Sequence, residues 1–137
     1  MKTYVELKEA LNQNNLMDAK VKASEFFSQI YSAVVSMHFF HLTTSSFSAH
    51  MASNEFYTGL PPLLDNLMES FSGRYGKLET APKLKVVSTD GLIIAVKLLQ
   101  WIDSNRELLT DDTEIQNIID EITSLINSTI YKLRELK

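Results

Sequence analysis

Apolar residues recur at intervals of three and four positions along most of this chain, which is the spacing of one helix face. The clearest pattern lies near the C-terminus and predicts a helix whose inner face consists of Ile115, Ile118, Ile119, Ile122, Leu125, Ile126, Ile130 and Leu133. The same spacing predicts a long helix from a cap at Asp18 to about Leu42. Its inner face consists of Val21, Phe26, Phe27, Ile30, Val34, Met37, Phe40 and His41.

The polar run 43–46 predicts the end of this long helix and offers Ser45 or Ser46 as the cap of the next one. The second helix extends to about Ser72. It contains Pro61 and Pro62, which remove two backbone donors and clash with the preceding turn. We therefore expect either a kink or two separate helices, with Pro61 at the first position of the second.

The remaining segments are shorter or less regular. Residues 3–12 predict a short first helix, which the following asparagine-rich run ends. Residues 77–87 predict a connection to a third helix, which is capped by Ser88 or Thr89 and ends near Leu109. The inner face of that third helix consists of Leu92, Ile93, Val96, Leu99, Trp101 and Ile102.

Few residues interrupt these helices, since the chain has only four glycines and three prolines. The predicted fold is therefore all-α. It is an antiparallel four-helix bundle with a short extra N-terminal helix, in a single domain over residues 1–137. The apolar fraction of 45% and the charged fraction of 22% are typical of a globular protein with one core.

Composition and charge narrow the class of protein. The chain has no cysteine, which excludes disulfides and thiol catalysis and favours a cytoplasmic location. It has no N-terminal signal region and no apolar run of the roughly 18 residues that cross a membrane, so we expect no membrane partner. The formal net charge of -4 opposes nucleic-acid binding, because lysine and arginine supply most of the affinity for phosphate.

The candidate chemistry lies between residues 38 and 69. The three histidines of the chain, His38, His41 and His50, lie at the end of the first long helix and the start of the next. Asp65 and Glu69 follow at i and i+4, and they therefore share a helix face. Imidazole and carboxylate together are ligands for iron, manganese or zinc. The sequence therefore predicts a metal site.

The spacing of these residues limits how they can meet. In a straight helix His50 and Asp65 lie roughly 22 Å apart, at 1.5 Å per residue, which is too far for one metal ion. Either the chain folds back at its prolines, or the carboxylates come from a second chain. The second arrangement predicts a homo-oligomer with its site at a two-fold interface, in a dimer or in a larger shell.

This spacing resembles that of the Dps proteins (DNA protection during starvation), the small ferritin-like shells. His38 and His50 are twelve positions apart, and Asp65 and Glu69 follow His50 by fifteen and nineteen positions, as in the ferroxidase site of that family. The four predicted helices cover nearly the whole chain in the family's order. Small Dps-like proteins encoded by tailed phages resemble the chain still more closely.

The resemblance implies that Fe(II) binds between two-fold-related chains, is oxidised by oxygen or peroxide and is stored in a shell. The candidate ligands are His38, His41, His50, Glu55, Asp65 and Glu69. His41 is an alternative to His38, and manganese or zinc is an alternative to iron. The family's middle aspartate is Asn54 here, with Glu55 beside it. That difference and the paired prolines favour an alternative function, a ferritin-like bundle without ferroxidase activity that acts as an assembly or protein-interaction module.

Overall fold

The computed structural model describes all 137 residues and contains four α-helices and no β-strand. In chain order the helices are α1 (Tyr4–Thr43), α2 (Phe47–Tyr75), α3 (Gly91–Leu109) and α4 (Thr113–Glu135). The all-α prediction is confirmed. No helix combines the length and the hydrophobicity that a membrane crossing requires.

The four helices form a bundle with one long crossover. α1 packs against α2 and α3, and α4 packs against the same two helices. Short turns at 44–46 and 110–112 reverse the chain between α1 and α2 and between α3 and α4. Residues 76–90 instead run back along α1, so α2 and α3 point in the same direction. The bundle is therefore not the simple antiparallel arrangement that short connections predict.

α1 is one unbroken helix of 40 residues, so the short extra N-terminal helix does not exist as a separate element. Thr3 caps it, because its hydroxyl accepts the Glu6 N–H and the Glu6 carboxylate accepts the Thr3 N–H. The asparagine-rich run 12–15 remains helical because asparagine costs about 0.7 kcal/mol or less per residue, far less than proline. Nearly all of residues 4–18 are exposed, since this part of α1 extends beyond the other helices.

α2 also continues without a break, through both prolines. Pro61 and Pro62 cannot donate to the carbonyls one turn earlier. Pro62 and Thr58 are exposed, so water can donate to the Thr58 carbonyl that Pro62 leaves without a donor. The expectation of two separate helices is therefore wrong. The predicted serine cap is confirmed, since the Ser46 hydroxyl accepts the Ala49 N–H at 3.2 Å.

Side chains from all four helices fill one core. Its largest fully buried members are Phe26, Ile30, Met37, Phe56, Leu60, Leu67, Phe71, Ile94, Ile102, Ile115, Ile119 and Ile122. The inner face predicted for α4 is confirmed. On α3 the buried residues include Ile94, Ala95 and Leu98, whereas Ile93 is exposed. The first half of α3 is apolar on nearly every side, so spacing alone could not select the face that packs.

The crossover is held to α1 by a row of serines spaced four residues apart, the serine row (Ser24, Ser28, Ser32 and Ser36). Three of its hydroxyls accept alternate backbone N–H groups: Lys83 donates to Ser28 at 3.0 Å, Lys85 to Ser32 at 3.1 Å and Val87 to Ser36 at 3.0 Å. Four residues advance a helix by about 6.0 Å, and two residues advance an extended chain by about 6.6 Å. The two repeats match, so an extended segment can meet successive serines.

A polar cluster joins the end of α2 to the α3–α4 turn. The Tyr75 hydroxyl donates to the Asp112 carboxylate, and the Thr110 hydroxyl donates to the same group at 2.7 Å. Arg74 lies 3.1 Å from this carboxylate. The two hydrogen bonds, followed by the Arg74 charge, lower the pKa of Asp112. Because the Asp112 carboxylate accepts these hydrogen bonds, it does not cap α4: it accepts no hydrogen bond from the first N–H groups of that helix.

Candidate metal centre

His41 and His50 come together where α1 ends and α2 begins. His41 lies in the last turn of α1 and His50 in the first turn of α2, and the reversal at 44–46 places these turns side by side. The two rings stack with their centroids 3.7 Å apart and their planes inclined by 22°. His41 is only 8% exposed, and His50 is half-buried.

Each of these histidines binds the backbone of the other. Nδ1 of His41 lies 2.9 Å from the carbonyl oxygen of His50, and Nδ1 of His50 lies 3.0 Å from the carbonyl oxygen of His41. A carbonyl can only accept, so both Nδ1 atoms carry a proton and donate it. The Ser53 hydroxyl also donates to the His50 carbonyl, at 3.0 Å. These contacts fix the positions of both rings.

The reciprocal hydrogen bonds determine which ring nitrogen is available to a ligand. With the proton on Nδ1, a neutral imidazole has its lone pair on Nε2. Neither Nε2 atom has a hydrogen-bond partner in the protein. Every buried polar side-chain atom does have such a partner, so the two Nε2 atoms are not buried and reach solvent. A ring held through one nitrogen by a backbone carbonyl, with the other nitrogen free, is the usual arrangement of a metal-binding histidine.

His38 lies one turn before His41 and takes part in a different contact. Its ring stacks on Tyr57 with centroids 4.0 Å apart and planes inclined by 7°. The His38 and His41 centroids are 6.2 Å apart, and Tyr57 meets the His41 ring edge-on at 5.0 Å. Of the two alternatives for the histidine that joins His50, the structure places His41 against it.

Asp65 and Glu69 lie on the exposed side of α2 and form no ion pair within the chain. Because α2 is unbroken, the chain does not fold back at its prolines, and about 22 Å of helix separates His50 from Asp65. No group of three His, Asp or Glu side chains within one chain is placed to hold a metal ion. Both carboxylates are therefore free to meet a second chain.

Glu55 faces away from the histidines. It follows His50 by five residues, which is a rotation of about 140° around α2 at 3.6 residues per turn. Its carboxylate pairs with Lys132 of α4. This ion pair joins α2 to α4 and leaves Glu55 outside the histidine cluster.

A shallow apolar groove lies beside the histidines on the outer surface of α1 and α2. It encloses 610 Å³, and its lining includes His38, Tyr57, Pro61, Pro62, Val35, Phe39 and Leu42. Phe39 is 56% exposed and Leu42 is 69% exposed. A contiguous exposed apolar surface of this kind is typical of an interaction site.

Two residues of the cluster were not predicted from the sequence, Ser53 and Tyr57. Ser53 follows His50 by three residues and therefore lies on the same helix face, which is the signal that could have identified it. Tyr57 follows His50 by seven residues, about two helical turns. Its stacking on His38 depends on how α1 and α2 pack, and neither helix alone contains that information.

Comparisons with known proteins identify the family of this chain. The chain is 28% identical over 114 residues to the uncharacterized 14.6 kDa protein in the mobD-ri intergenic region of Enterobacteria phage T4, and the match covers 82% of this chain and 88% of that protein. No solved structure matches. The model of a family of unknown function (DUF5856) matches residues 41–133, which include His41, His50, Asp65 and Glu69. Because that match covers more than half of the chain, the chain belongs to this family.

Proposed function

We propose that the chain is a Dps-like iron-binding protein in which Fe(II) binds between two chains related by a two-fold axis. One chain contributes Nε2 of His41 and His50, and its partner contributes the carboxylates of Asp65 and Glu69. Fe(II) is the substrate, which oxygen or peroxide oxidises and a shell of chains stores. The reciprocal hydrogen bonds of the two histidines carry this proposal, because they hold two imidazoles ready for a metal.

The apolar groove supports the presence of a partner chain. A groove lined by exposed apolar side chains gains free energy when another surface covers it. In a two-fold dimer the same surface of both chains is buried. Asp65 and Glu69 share a face of α2 with Pro62, which lines the groove, so a dimer formed there would bring these carboxylates toward the partner.

The helix order supports the ferritin-like part of the proposal. A four-helix bundle with a single long crossover is the arrangement of ferritin-like folds. Here that crossover is the segment from α2 to α3, which runs along α1. The similarity to a phage T4 protein is in keeping with the resemblance to Dps-like proteins of tailed phages.

The two ligand types suit the two oxidation states of iron. Imidazole nitrogen is a borderline ligand that binds Fe(II), whereas carboxylate oxygen is a harder ligand that favours Fe(III). When peroxide is the oxidant, each of two Fe(II) ions loses one electron, and the peroxide takes up these electrons and two protons to form two water molecules. The hydrogen bonds through Nδ1 hold both rings in place before any metal binds.

Complementation between two inactive variants tests the proposal. His50→Ala removes an imidazole and Glu69→Gln removes a carboxylate, so a dimer of either variant loses both of its sites. A mixed dimer keeps one site with all its ligands. Refolding equal amounts of the two variants together should restore about a quarter of the wild-type rate of Fe(II) oxidation, since half of the dimers are mixed and each has one intact site.

Glu121→Gln is the matched control, because Glu121 is an exposed carboxylate of α4 that forms no ion pair. It should leave the oxidation rate unchanged. Wild-type rates in both His50→Ala and Glu69→Gln would refute the site. If both variants are folded and inactive, and their mixture is inactive too, the location between chains is refuted.

A second candidate function is a bundle without ferroxidase activity that serves in assembly or protein interaction. It is favoured by the burial of His41 and by the lack of a three-ligand group within one chain. This function predicts that no iron remains bound after loading with Fe(II). It also predicts an oxidation rate equal to that of buffer without protein.

A further inference from the structure

The crossover has an unpaired backbone edge. The N–H groups of Lys83, Lys85 and Val87 donate to the serine row, whereas those of Leu84 and Val86 donate to no group of the chain. Successive N–H groups of an extended segment point to opposite sides, so the two free groups point away from those serines. The carbonyls of residues 81–87 also accept no hydrogen bond from the chain. Such an edge can pair with another extended chain.

A groove lies between the crossover, α1 and α3, on the side of the crossover that faces the serine row. It consists of two adjoining cavities of 490 Å³ and 350 Å³, whose walls share Gln29, Lys85 and Trp101. Trp101 is half-buried and packs edge-on against Phe26 with ring centroids 4.8 Å apart, so it provides a rigid apolar surface. The groove is separate from the histidine cluster, which lies between α1 and α2.

The groove is positively charged, although the whole chain has a net charge of -4. Lys83, Lys85 and Lys97 line it, and none of them forms an ion pair within the chain. Glu25 is the one carboxylate in its walls. Three unpaired ammonium groups against one carboxylate favour a negatively charged ligand.

We infer that the crossover binds an acidic, extended segment of a partner protein, which pairs as a strand with the N–H groups of Leu84 and Val86 on the side away from the serine row. Two carbonyl groups of the segment, two residues apart, accept the two free N–H groups. Its carboxylates lie beside the lysines and accept charge-assisted hydrogen bonds. The inference is independent of the proposed iron site and holds whether or not the chain oxidises iron.

Two other occupants fit the edge less well. A second copy of this chain, paired edge to edge, would bring Lys83 and Lys85 close to the same lysines of its partner, and like charges across a strand pair are destabilising. A nucleic acid would satisfy the lysines, but it has no row of carbonyl acceptors at strand spacing for the N–H groups of Leu84 and Val86. An acidic extended peptide satisfies both features.

The test begins with the full-length chain and a displayed library of random short peptides. We expect the enriched peptides to have acidic residues at alternate positions, because alternate side chains of a strand share one face. Binding of an enriched peptide should slow amide exchange at Leu84 and Val86 by about tenfold or more. The amides of Lys83 and Lys85 already have partners in the serine row and should change little.

Two variants separate the contribution of the edge from that of the charge. Leu84→Pro removes one free N–H and should lower the affinity for the peptide about tenfold. The Leu84 side chain lines neither cavity, so its loss leaves the walls of the groove unchanged. Lys83→Glu combined with Lys85→Glu should also lower it by about tenfold or more. Lys8→Glu is the charge control, since Lys8 is exposed on the part of α1 that extends beyond the bundle, and it should leave the affinity unchanged.

Three results would overturn the inference. The first is a selection that enriches no acidic peptides. The second is an enriched peptide that binds Leu84→Pro and the double lysine variant as tightly as the wild-type chain. The third is a lower native mass of Leu84→Pro in the absence of peptide, which would assign the edge to a second copy of the chain.

Discussion

Gly91 is required because α3 begins against the ring of Phe40. A Cβ atom at position 91 would lie 2.6 Å from Cε1 and 2.7 Å from Cδ1 of that ring. Gly91→Ala should therefore lower the free energy of unfolding by about 1–3 kcal/mol, the usual cost of overpacking. Urea denaturation followed by circular dichroism measures this change.

Gly73 is the matched control inside α2. No atom lies within 4 Å of a Cβ atom built at this position. Gly73→Ala should raise the free energy of unfolding by roughly 0.5–1 kcal/mol, because alanine loses less conformational entropy than glycine when a helix forms. If the two substitutions change stability by the same amount, the ring of Phe40 moves aside without cost and the argument for Gly91 fails.

Asp112 makes stability depend on pH. Hydrogen bonds from Tyr75 and Thr110, followed by the charge of Arg74, lower the pKa of Asp112 from its ordinary value of 3.8. A carboxylate with a lowered pKa stabilises the folded state above its ordinary pKa, and this contribution is lost as the pH falls through the lowered value. Asp112→Asn should therefore lower the melting temperature at neutral pH, and the difference from wild type should shrink below about pH 4.

Asp111→Asn shows whether this effect belongs to the polar cluster. Asp111 is exposed and adjacent to Asp112, and it forms no ion pair. Its substitution should change the melting temperature little at either pH. A deficit in Asp112→Asn that stays constant from neutral to acidic pH would contradict the role assigned to the ionised carboxylate.

At the scale of secondary-structure elements, α1 binds the backbone N–H groups of the crossover through its serine hydroxyls. The side chains of Leu84 and Val86 point to solvent, at 49% and 71% exposure, while the adjacent N–H groups reach the serine row. Serine suits these positions because its small side chain lets the crossover approach α1 and its hydroxyl accepts the N–H. The α2–α3 connection is therefore an ordered part of the bundle.

Ser32→Ala tests this attachment. It removes the acceptor of the Lys85 N–H, and it should lower the free energy of unfolding by about 1 kcal/mol relative to the control substitution. The control is Ser104→Ala, at an exposed position of α3, which reports the gain in helix propensity that alanine brings. Amide exchange at Lys85 should also accelerate. Equal stabilities of the two variants would mean that water replaces the Ser32 hydroxyl without loss.

At the scale of the whole molecule, the proposed dimer depends on the apolar groove of α1 and α2. Phe39→Glu places a charge in that surface, and it should reduce the native mass toward that of a monomer and slow Fe(II) oxidation in parallel. Leu108→Glu is the control, because Leu108 is 58% exposed on α3, close to the 56% of Phe39. Analytical ultracentrifugation measures the mass. A dimer that persists in Phe39→Glu would place the interface elsewhere.

The helices and most of their ends could be predicted from the sequence. The inner face of α4 and the serine cap of α2 follow from neighbours a few residues apart. The unbroken course through the run 12–15 and through Pro61 and Pro62 could not be predicted, because tertiary packing outweighs a local loss of propensity. The face of α3 was unpredictable for a related reason, since Ile93 and Ile94 have equal hydrophobicity and only packing selects Ile94.

The sequence by itself determined the all-α class, the histidines at the α1–α2 turn, and the separation of His50 from Asp65 along one helix. Each of these depends on local spacing and on the rise of a helix. The tertiary structure decided that His41 rather than His38 stacks on His50 and that the crossover lies on the serine row. Those contacts join residues on different elements, and their geometry depends on how the helices pack, which no local pattern specifies.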